Sequence, residues 1–290
     1  MKLCFMLEGG RGSAVPGHVI SQACDLLTRR GFAVEMLLAE EIVVRLDQLT
    51  VAHDLYLLKS DTELSLSMAG VLHAQGARLL NPYPACLAVR DKIVASWHLC
   101  AAGIPAPRTW ITNDLSLLRP FAETQPLIIK PYRGFHGAGI RIVRSRDELA
   151  ALPTPESPAL VQEYIEGSGH DVKVYVIGEE VFATRKPFSP DSFTRPGQPS
   201  AVSDRVRDIA LRCGPLFGLG LYGLDVIESP RGPVVVDVNY FPGYKGIPEA
   251  PRLLADYIES YARERFALSA AISPARMEAS QMKMSVPSAV

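Results

Sequence analysis

The sequence lacks an excess of charge of either sign and lacks a long apolar run. Thirty Lys and Arg residues stand against 31 Asp and Glu residues, which leaves a formal net charge of -1. No overall field therefore attracts nucleic acid or an anionic membrane. No segment supplies the ~20 apolar residues that span a bilayer, and the short apolar run after Met1 lacks the pattern of a secretory signal. We therefore expect a cytoplasmic protein with neither a nucleic-acid nor a membrane partner.

The pattern of cysteines does not indicate a zinc or redox centre. They are odd in number and scattered, with no CxxC pair and no neighbouring histidine. We predict that they are buried thiols in a reducing compartment. The five are Cys4, Cys24, Cys86, Cys100 and Cys213.

The chain contains enough apolar sequence, 48% of 290 residues, for one large domain or for two to three smaller ones. Short apolar runs alternate with helical patterns near the N-terminus, which predicts a parallel α/β sheet. Pro82 and Pro84 are expected to interrupt this pattern, and the later strands with grouped helices predict α+β units. The predicted units are residues 1–88, 89–165 and 166–268, followed by a disordered tail at 269–290.

Two carboxylates and an amide occupy matching positions on two consecutive predicted strands. Asp237 and Asn239 are two residues apart and share one face of a strand, while Val236 and Val238 are expected to enter the core. A hairpin would bring Asp225 of the preceding strand beside them. Carboxylate and amide oxygens suit Mg²⁺. Polar strand ends that merely face water would give the same pattern.

A lysine followed by glycines provides a second signal. Lys130 ends a predicted strand, and Gly134, Gly137 and Gly139 follow it with His136 among them. Glycine lets backbone amides approach phosphate oxygens, and the lysine supplies a positive charge. The segment is not a Walker A loop, because no Gly-Lys-Ser/Thr follows the glycines. An ordinary hairpin turn is the alternative interpretation.

A third segment, residues 160–167, combines an apolar strand with a polar end, and Asp171 and Lys173 follow it. The backbone of such a strand end can hold the edge of an adenine ring, and a nearby carboxylate can accept ribose hydroxyls. Taken alone, the segment indicates only the edge of a pocket.

The three segments, in this order, resemble the ATP-grasp superfamily over about residues 81–251, and most closely its RimK-type amino-acid ligases. Arg90-Asp91-Lys92 and the Gly-Ile-Pro-x-Pro-x-Thr run at 103–109 are similar to the first lysine helix of that family and its exit. The resemblance implies an ATP-grasp fold, in which an N-terminal α/β domain precedes two α+β subdomains that enclose ATP. Residues 1–88 would form the N-terminal α/β domain, 89–165 the central subdomain and 166–268 the C-terminal subdomain with the metal site.

The resemblance also implies roles for individual residues. Asp225, Asp237 and Asn239 would bind Mg²⁺, or else Mn²⁺. The implied ATP contacts are Lys92, Lys130, Gly134, His136, Gly137, Gly139, Gln162, Glu163, Tyr164, Ile165, Asp171 and Lys173.

The reaction implied by the resemblance is ATP-dependent ligation of a carboxylate to an amine through an acyl phosphate, with small-molecule or peptide substrates. Arg185 follows a predicted strand and precedes a Pro-rich loop at 187–199 suited to covering a site. We predict that Arg185 and Lys173 act in catalysis and that Arg185, Lys186 and Lys245 contact substrate. The sequence leaves the oligomeric state open and is compatible with a homo-oligomer.

Two alternatives remain open at this point. Asp237 stands where the ligases usually have Glu, and residues 239–246 are similar to a segment of ATP-grasp inositol polyphosphate kinases. His136-Gly137 and residues 173–178 point the same way. A kinase would transfer the γ-phosphate to a hydroxyl of an inositol phosphate or a sugar. The second alternative is a nucleotide-binding scaffold without turnover.

Overall fold

The computed structural model describes residues 1–9, 18–133, 139–155, 157–187 and 197–264. None of the helices in these ranges is long and apolar enough to cross a membrane. The predicted tail at 269–290 lies outside the described residues. So do Gly134, His136 and Gly137 of the predicted phosphate loop.

The N-terminal sheet is parallel, as predicted. Its strands are β1 (Lys2–Leu7), β2 (Ala33–Leu38), β3 (Leu55–Leu58) and β4 (Leu79–Leu80), in the order β2-β1-β3-β4. Two helices accompany them, α1 (His18–Arg29) and α2 (Glu63–Ala74). Strands β1 and β3 are buried along almost their whole length, as expected for the central strands of a parallel sheet. Their carboxyl ends, at Glu8 and Lys59, point to one edge of the sheet.

Pro82 and Pro84 lie just after the last strand of the parallel sheet, where a helix begins. Helix α3 (Tyr83–Arg90) begins directly after Pro82 and carries Pro84 in its first turn, where the missing proline N–H has no intrahelical partner to lose. Helix α4 (Lys92–Ala101) follows at once. Its N-cap is Asp91, which accepts two backbone N–H groups. Lys92 is therefore held at the first position of α4.

The central sheet is antiparallel, with the order β5-β8-β6-β7 for β5 (Thr109–Thr112), β6 (Leu127–Pro131), β7 (Arg141–Val143) and β8 (Ala159–Glu163). Two short helices, α5 (Arg119–Ala122) and α6 (Arg146–Ala150), pack on it. One face of this sheet encloses a small core that includes Leu127, Val143 and Val161. The central sheet therefore has a small core of its own.

The C-terminal sheet is the third layer, and it is also antiparallel. Its strands are β9 (His170–Ile177), β10 (Glu180–Pro187), β11 (Gln198–Ser200), β12 (Leu221–Ser229) and β13 (Gly232–Tyr240), in the order β11-β10-β9-β12-β13. Helices α7 (Asp204–Phe217) and α8 (Ala250–Arg263) belong to this part of the chain. Strand β11 lies in the segment predicted as a loop, and it forms because Gln198 pairs with Arg185 on β10.

The N-terminal and C-terminal layers share one hydrophobic core. The buried amide of Asn81 joins them: it donates to the Leu221 carbonyl at 2.7 Å and accepts from the N–H groups of Gly220 and Leu221. Helix α4 contributes Ala95 and Leu99 to this core, although the predicted boundary groups it with the central unit. The predicted domain limits themselves stay a prediction.

Four cysteines are buried, as expected. Cys100 is exposed on α4, so the prediction of burial is wrong there, because this position lies on the side of the helix that faces away from the core.

Candidate active site

The three predicted metal ligands lie together on one face of the β12–β13 hairpin. Ser229 pairs with Gly232 at the turn, Asp225 lies opposite Asp237, and Gly223 lies opposite Asn239. The predicted hairpin is thus confirmed. The Asn239 Nδ2 atom is 3.5 Å from Oδ2 of Asp225, which leaves the Asn239 amide oxygen available to a ligand.

The hairpin also contains a β-bulge that the alternating pattern did not predict. Asp225 pairs with Asp237 but Val226 pairs with Val235, so Val236 is an extra residue without a partner. Val235 and Val238 are buried, while Val236 is only partly buried. The expectation that Val236 enters the core is wrong for this reason. Its carbonyl instead accepts a hydrogen bond from Nζ of Lys130 at 3.3 Å.

Lysines surround the two carboxylates. Nζ of Lys92 lies 2.7 Å from Oδ1 and 2.5 Å from Oδ2 of Asp237. Nζ of Lys173 lies 3.2 Å from Oδ1 of Asp225, and this carboxylate raises the pKa of Lys173 to about 12. Burial lowers the pKa of Lys130, which Asp237 only partly offsets. The structure therefore brings together the three lysines predicted to meet phosphates and both predicted metal-binding carboxylates.

The donor set suits a hard divalent cation. Two facing carboxylates and one amide oxygen, all on rigid strands, match the oxygen ligation of Mg²⁺. Each carboxylate already contacts a lysine ammonium group, so a metal would have to replace part of these contacts. A cluster of three or more His, Cys, Asp or Glu residues able to hold a metal does not occur among the described residues. A metal at this site would therefore need the amide oxygen of Asn239 and further oxygen atoms from a bound substrate.

Residues at the end of β8 present unpaired polar atoms. Gln162 is only 3% exposed; its Nε2 donates to Oγ1 of Thr109, while its Oε1 has no hydrogen-bond partner in the described part of the chain. Gln162 and Lys92 both line a narrow crevice of about 10 Å³ between α4, β8 and β13. The backbone N–H of Ile165 forms no hydrogen bond with the described residues, whereas those of Glu163 and Tyr164 bond to Arg108 and Pro126. Ile165 and Gln162 thus each offer an unpaired hydrogen-bonding atom among the described residues.

Glu163 has a structural partner instead. Its Oε2 accepts from Nε of Arg108 at 2.8 Å, its Oε1 accepts from the Arg108 backbone N–H at 3.2 Å, and Arg231 lies 3.6 Å away. Burial alone would raise the pKa of Glu163, but the hydrogen bonds from Arg108 lower it. The carboxylate therefore fastens the central sheet to the β12–β13 turn. Tyr164 is exposed.

Asp171 and Lys186 extend the same face of the C-terminal sheet, because they pair directly across β9 and β10. Burial raises the pKa of Asp171, and the nearby Asp225 raises it further. Burial also lowers the pKa of Lys186, on which Lys173 and Lys245 act as like charges. Lys186 therefore lies on the sheet face that carries Lys173 and Asp225.

Arg185 is not brought into this cluster. It pairs with Val172, and Val172 pairs with Val226, so the alternation of side chains places Arg185 on the opposite face from Lys173. There it forms an ion pair with Glu228. Gly139, the one predicted loop glycine within the described residues, has φ +76°, and a Cβ atom there would come within 2.8 Å of Pro131. That position requires glycine for backbone reasons.

Sequence reasoning missed a group of charged residues at the edge of the N-terminal sheet. Glu8, Lys59 and Asp61 follow the carboxyl ends of β1 and β3. Oη of Tyr240 donates to the Ser60 carbonyl at 3.0 Å, which places this edge against the end of β13. The carboxyl ends of parallel strands are where ligands bind in α/β sheets, and that rule was the available signal.

Three layers in this order, with lysines converging on paired carboxylates between them, define an ATP-grasp enzyme. The RimK-like ATP-grasp domain matches residues 89–255. A probable alpha-L-glutamate ligase of Citrobacter koseri is 30% identical over 213 residues, which are 67% of this chain and 71% of the relative.

Solved structures show the same fold. D-cycloserine synthetase has a TM-score of 0.71 at 16% identity and covers 91% of this chain and 100% of its own. The ATP-grasp ligase PsnB, complexed with a minimal precursor, Mg and ADP, has a TM-score of 0.64 at 23% identity. The match covers 90% of this chain and 98% of PsnB. The chain belongs to the RimK-like ATP-grasp family. The prediction of an ATP-dependent carboxylate-amine ligase is confirmed, and the kinase alternative is not favoured.

Proposed function

We propose that this protein uses Mg-ATP to activate a carboxylate as an acyl phosphate and then joins it to the amine of an amino acid. The observation that carries the proposal is the facing pair Asp225 and Asp237, each already in contact with a lysine. Oxygen ligands beside lysines would suit a cation and a polyanion together, which is what Mg-ATP requires.

The chain's own residues divide the work by position. Asp225, Asp237 and Asn239 would hold the metal, which when bound neutralises charge on the transferring phosphoryl group. Lys92 and Lys173 would exchange part of their carboxylate contacts for phosphate oxygens, and their charge would stabilise the transferring group.

At the other end of the nucleotide, the free backbone N–H of Ile165 would donate to the adenine ring. The unpaired Oε1 of Gln162 would accept from its amino group. Guanine carries a carbonyl where adenine has its amino group, so it would leave Oε1 of Gln162 without a donor. This is the physical reason to expect ATP rather than GTP.

The amine substrate is proposed to be an amino acid with free carboxylates, with L-glutamate the first candidate, because a relative is named for L-glutamate. The acid substrate would be a small molecule or a peptide, consistent with the minimal precursor held by PsnB. Lys186 and Lys245 would contact such anionic substrates, a role supported for Lys186 by its place on the sheet face of Lys173 and Asp225. Water exclusion from this cleft would protect the acyl phosphate from hydrolysis.

ADP release measured with panels of acids and amines tests the proposal. The wild-type protein is expected to form ADP only when an acid and an amine are both present. Asp237→Asn should lower kcat by about 100-fold or more, since it removes a charge that acts in the transition state. Asp208→Asn is the matched control, because Asp208 is an exposed carboxylate on α7, and it should match the wild type.

Other outcomes would replace the proposal. ADP formation with a lone inositol phosphate or sugar would show a kinase. Tight nucleotide binding without acceptor-dependent ADP formation would show a scaffold. Full activity of Asp237→Asn would remove the metal assignment.

A further inference from the structure

The hydroxyl group of Thr109 takes part in two hydrogen bonds of opposite direction. Thr109 ends the Gly-Ile-Pro-x-Pro-x-Thr run at 103–109 and begins β5. Its Oγ1 donates to the Pro107 carbonyl at 2.9 Å and lies 3.2 Å from Nε2 of Gln162. A hydroxyl group has one hydrogen, and the Pro107 carbonyl can only accept it. Towards Gln162, the Thr109 oxygen is therefore an acceptor.

This contact fixes the orientation of the Gln162 amide. Only its NH2 end can donate to Thr109, so Oε1 is turned away, where it has no hydrogen-bond partner among the described residues. A reversed amide would set two acceptors against each other, or would take the hydrogen from the Pro107 carbonyl, for which the described part of the chain shows no other donor. Either result leaves a buried polar group without its hydrogen bond, which is unfavourable. Gln162 is only 3% exposed, so water does not replace the lost partner.

The neighbouring pair, Arg108 and Glu163, holds the two strands in register at this point. The Glu163 backbone N–H donates to the Arg108 carbonyl at 3.0 Å. In return, the Arg108 backbone N–H and Nε donate to the two carboxylate oxygens of Glu163, at 3.2 Å and 2.8 Å. Thr109 lies directly opposite Gln162 in this register. The donor and the acceptor are therefore held together by the backbone as well as by their own side chains.

Gln162 lies on the same face of the central sheet as Lys130. Lys130 pairs with Leu160, which is two residues from Gln162, so the side chains of Gln162 and Lys130 extend to one side. Nζ of Lys130 donates to the Val236 carbonyl, directly before the proposed metal ligand Asp237. The acceptor that Thr109 fixes is therefore on the sheet face that carries a proposed phosphate contact.

We propose that Thr109 is a positioning residue that sets the base specificity of the nucleotide site. By holding the amide of Gln162 in one orientation, it presents an acceptor to the base, which favours a purine with an amino group at C6 over one with a carbonyl there. The inference rests on the proposed use of ATP and extends it to the residue that selects the base. Without the Thr109 hydroxyl, the amide can turn, and its NH2 end can donate to a carbonyl instead.

Calorimetric titration of Mg-ADP and Mg-inosine diphosphate into the full chain tests the proposal without turnover. Inosine diphosphate carries a carbonyl where ADP has its amino group, and it also carries a hydrogen on ring nitrogen N1. The measured quantity is the ratio of the two Kd values. Thr109→Val should lower the preference for ADP by about 10-fold, and inosine diphosphate itself should bind more tightly than to the wild type. Any preference that the N–H of Ile165 provides through N1 is common to both proteins and cancels in this comparison.

Three further variants show whether Thr109 acts through Gln162. Thr109→Ser keeps the hydroxyl and should keep the wild-type ratio. Thr112→Val is the matched control on the same strand, because the Thr112 hydroxyl bonds only to the backbone of Asp114, at 2.9 Å in both directions; it should leave the ratio unchanged. Gln162→Met should lower the preference for ADP, and adding Thr109→Val to it should change nothing further.

Several outcomes would overturn the proposal. Equal losses of affinity for both nucleotides in Thr109→Val, with an unchanged ratio, would give Thr109 a merely structural role. An effect of Thr109→Val that persists in the Gln162→Met background, or a wild type without preference for ADP, would exclude the route through Gln162. Thr109→Ala, which also lacks the hydroxyl, is the second variant if Thr109→Val does not fold. Melting temperatures of Thr109→Val and Thr112→Val measure the loss of stability, which by itself should not change the ratio.

Amide formation distinguishes this inference from the ligase proposal. With acid and amine present, Thr109→Val should lower KM for ITP relative to KM for ATP, while kcat with ATP stays close to wild type. If the binding ratio shifts as expected but the wild type forms no amide, the ligase proposal fails and the role of Thr109 stands. If amide forms from ATP and Thr109→Val leaves the ratio unchanged, the role of Thr109 fails and the ligase proposal stands.

Discussion

The contact between Lys92 and Asp237 offers the sharpest test of the candidate site. The ammonium group touches both carboxylate oxygens, and the two side chains are 18% and 26% exposed. If Asp237 also binds Mg²⁺, the ammonium group and the metal compete for the same oxygens. Lys92→Met, Asp237→Asn and the double variant form a cycle that measures the ion pair directly.

The expected size follows from burial. Two unit charges 4 Å apart attract by ~4 kcal/mol at an effective dielectric constant of about 20, and desolvation and side-chain ordering offset much of this. Exposed pairs retain ~0.2–1 kcal/mol, whereas removing one partner of a fully buried pair costs ~3–5 kcal/mol. For this partly buried pair we expect each single variant to lose about 2 kcal/mol, with a coupling energy of about 1–2 kcal/mol.

Urea unfolding without ligands provides the measurement. Arg146→Met, which removes an exposed ion pair with Glu123, is the control and should change stability by less than about 1 kcal/mol. A second arm adds Mg²⁺ alone: because no ammonium competes in Lys92→Met, the metal should raise its melting temperature more than that of the wild type. Additive single effects, within about 0.5 kcal/mol, together with equal Mg²⁺ responses would refute the reasoning.

Two further predictions concern stability. Asp225 raises the pKa of Lys173 to about 12 from its usual 10.5, so this contact stabilises the fold fully below pH 10.5 and is lost as pH rises towards 12. Between pH 10.5 and 12 the unfolding free energy of Asp225→Asn should therefore decrease by about 1 kcal/mol less than that of the wild type, after solvent screening. Identical pH profiles of the two proteins in urea titrations would contradict this. Gly246 and Gly76 both have positive φ, +82° and +86°, but only at Gly246 would a Cβ atom meet backbone, 2.7 Å from the Gly197 carbonyl oxygen. Gly76→Ala should cost about 1 kcal/mol and Gly246→Ala about 3 kcal/mol or more in chemical denaturation; equal losses would show that the close approach does not matter.

Much of the site could be predicted because its geometry is local. Asp225, Asp237 and Asn239 lie on one hairpin, where strand alternation and a short turn determine which side chains meet. Lys130 ends a strand and Lys92 begins a helix, positions that sequence patterns indicate well. Their convergence on the carboxylates was implied only by the resemblance to a known family.

The remaining features depend on register and on contacts between layers. The bulge at Val236 follows from how β12 aligns with β13, which no single-strand pattern shows. The sheet face on which Arg185 lies depends on how β10 aligns with β9. The nearby Pro-rich loop had suggested that Arg185 faces the active site, whereas it lies on the other face. Lys59 carries no motif at all, and its place at the carboxyl end of β3 becomes evident only in the folded sheet.

The shared core also has a consequence for motion. The N-terminal and C-terminal layers contribute to one hydrophobic core, so we expect local opening to involve them together. The central sheet has a smaller core of its own, and Glu163 and Lys130 tie it to the β12–β13 hairpin. We therefore expect backbone amides of the central sheet to exchange hydrogen faster than those of β1 and β12.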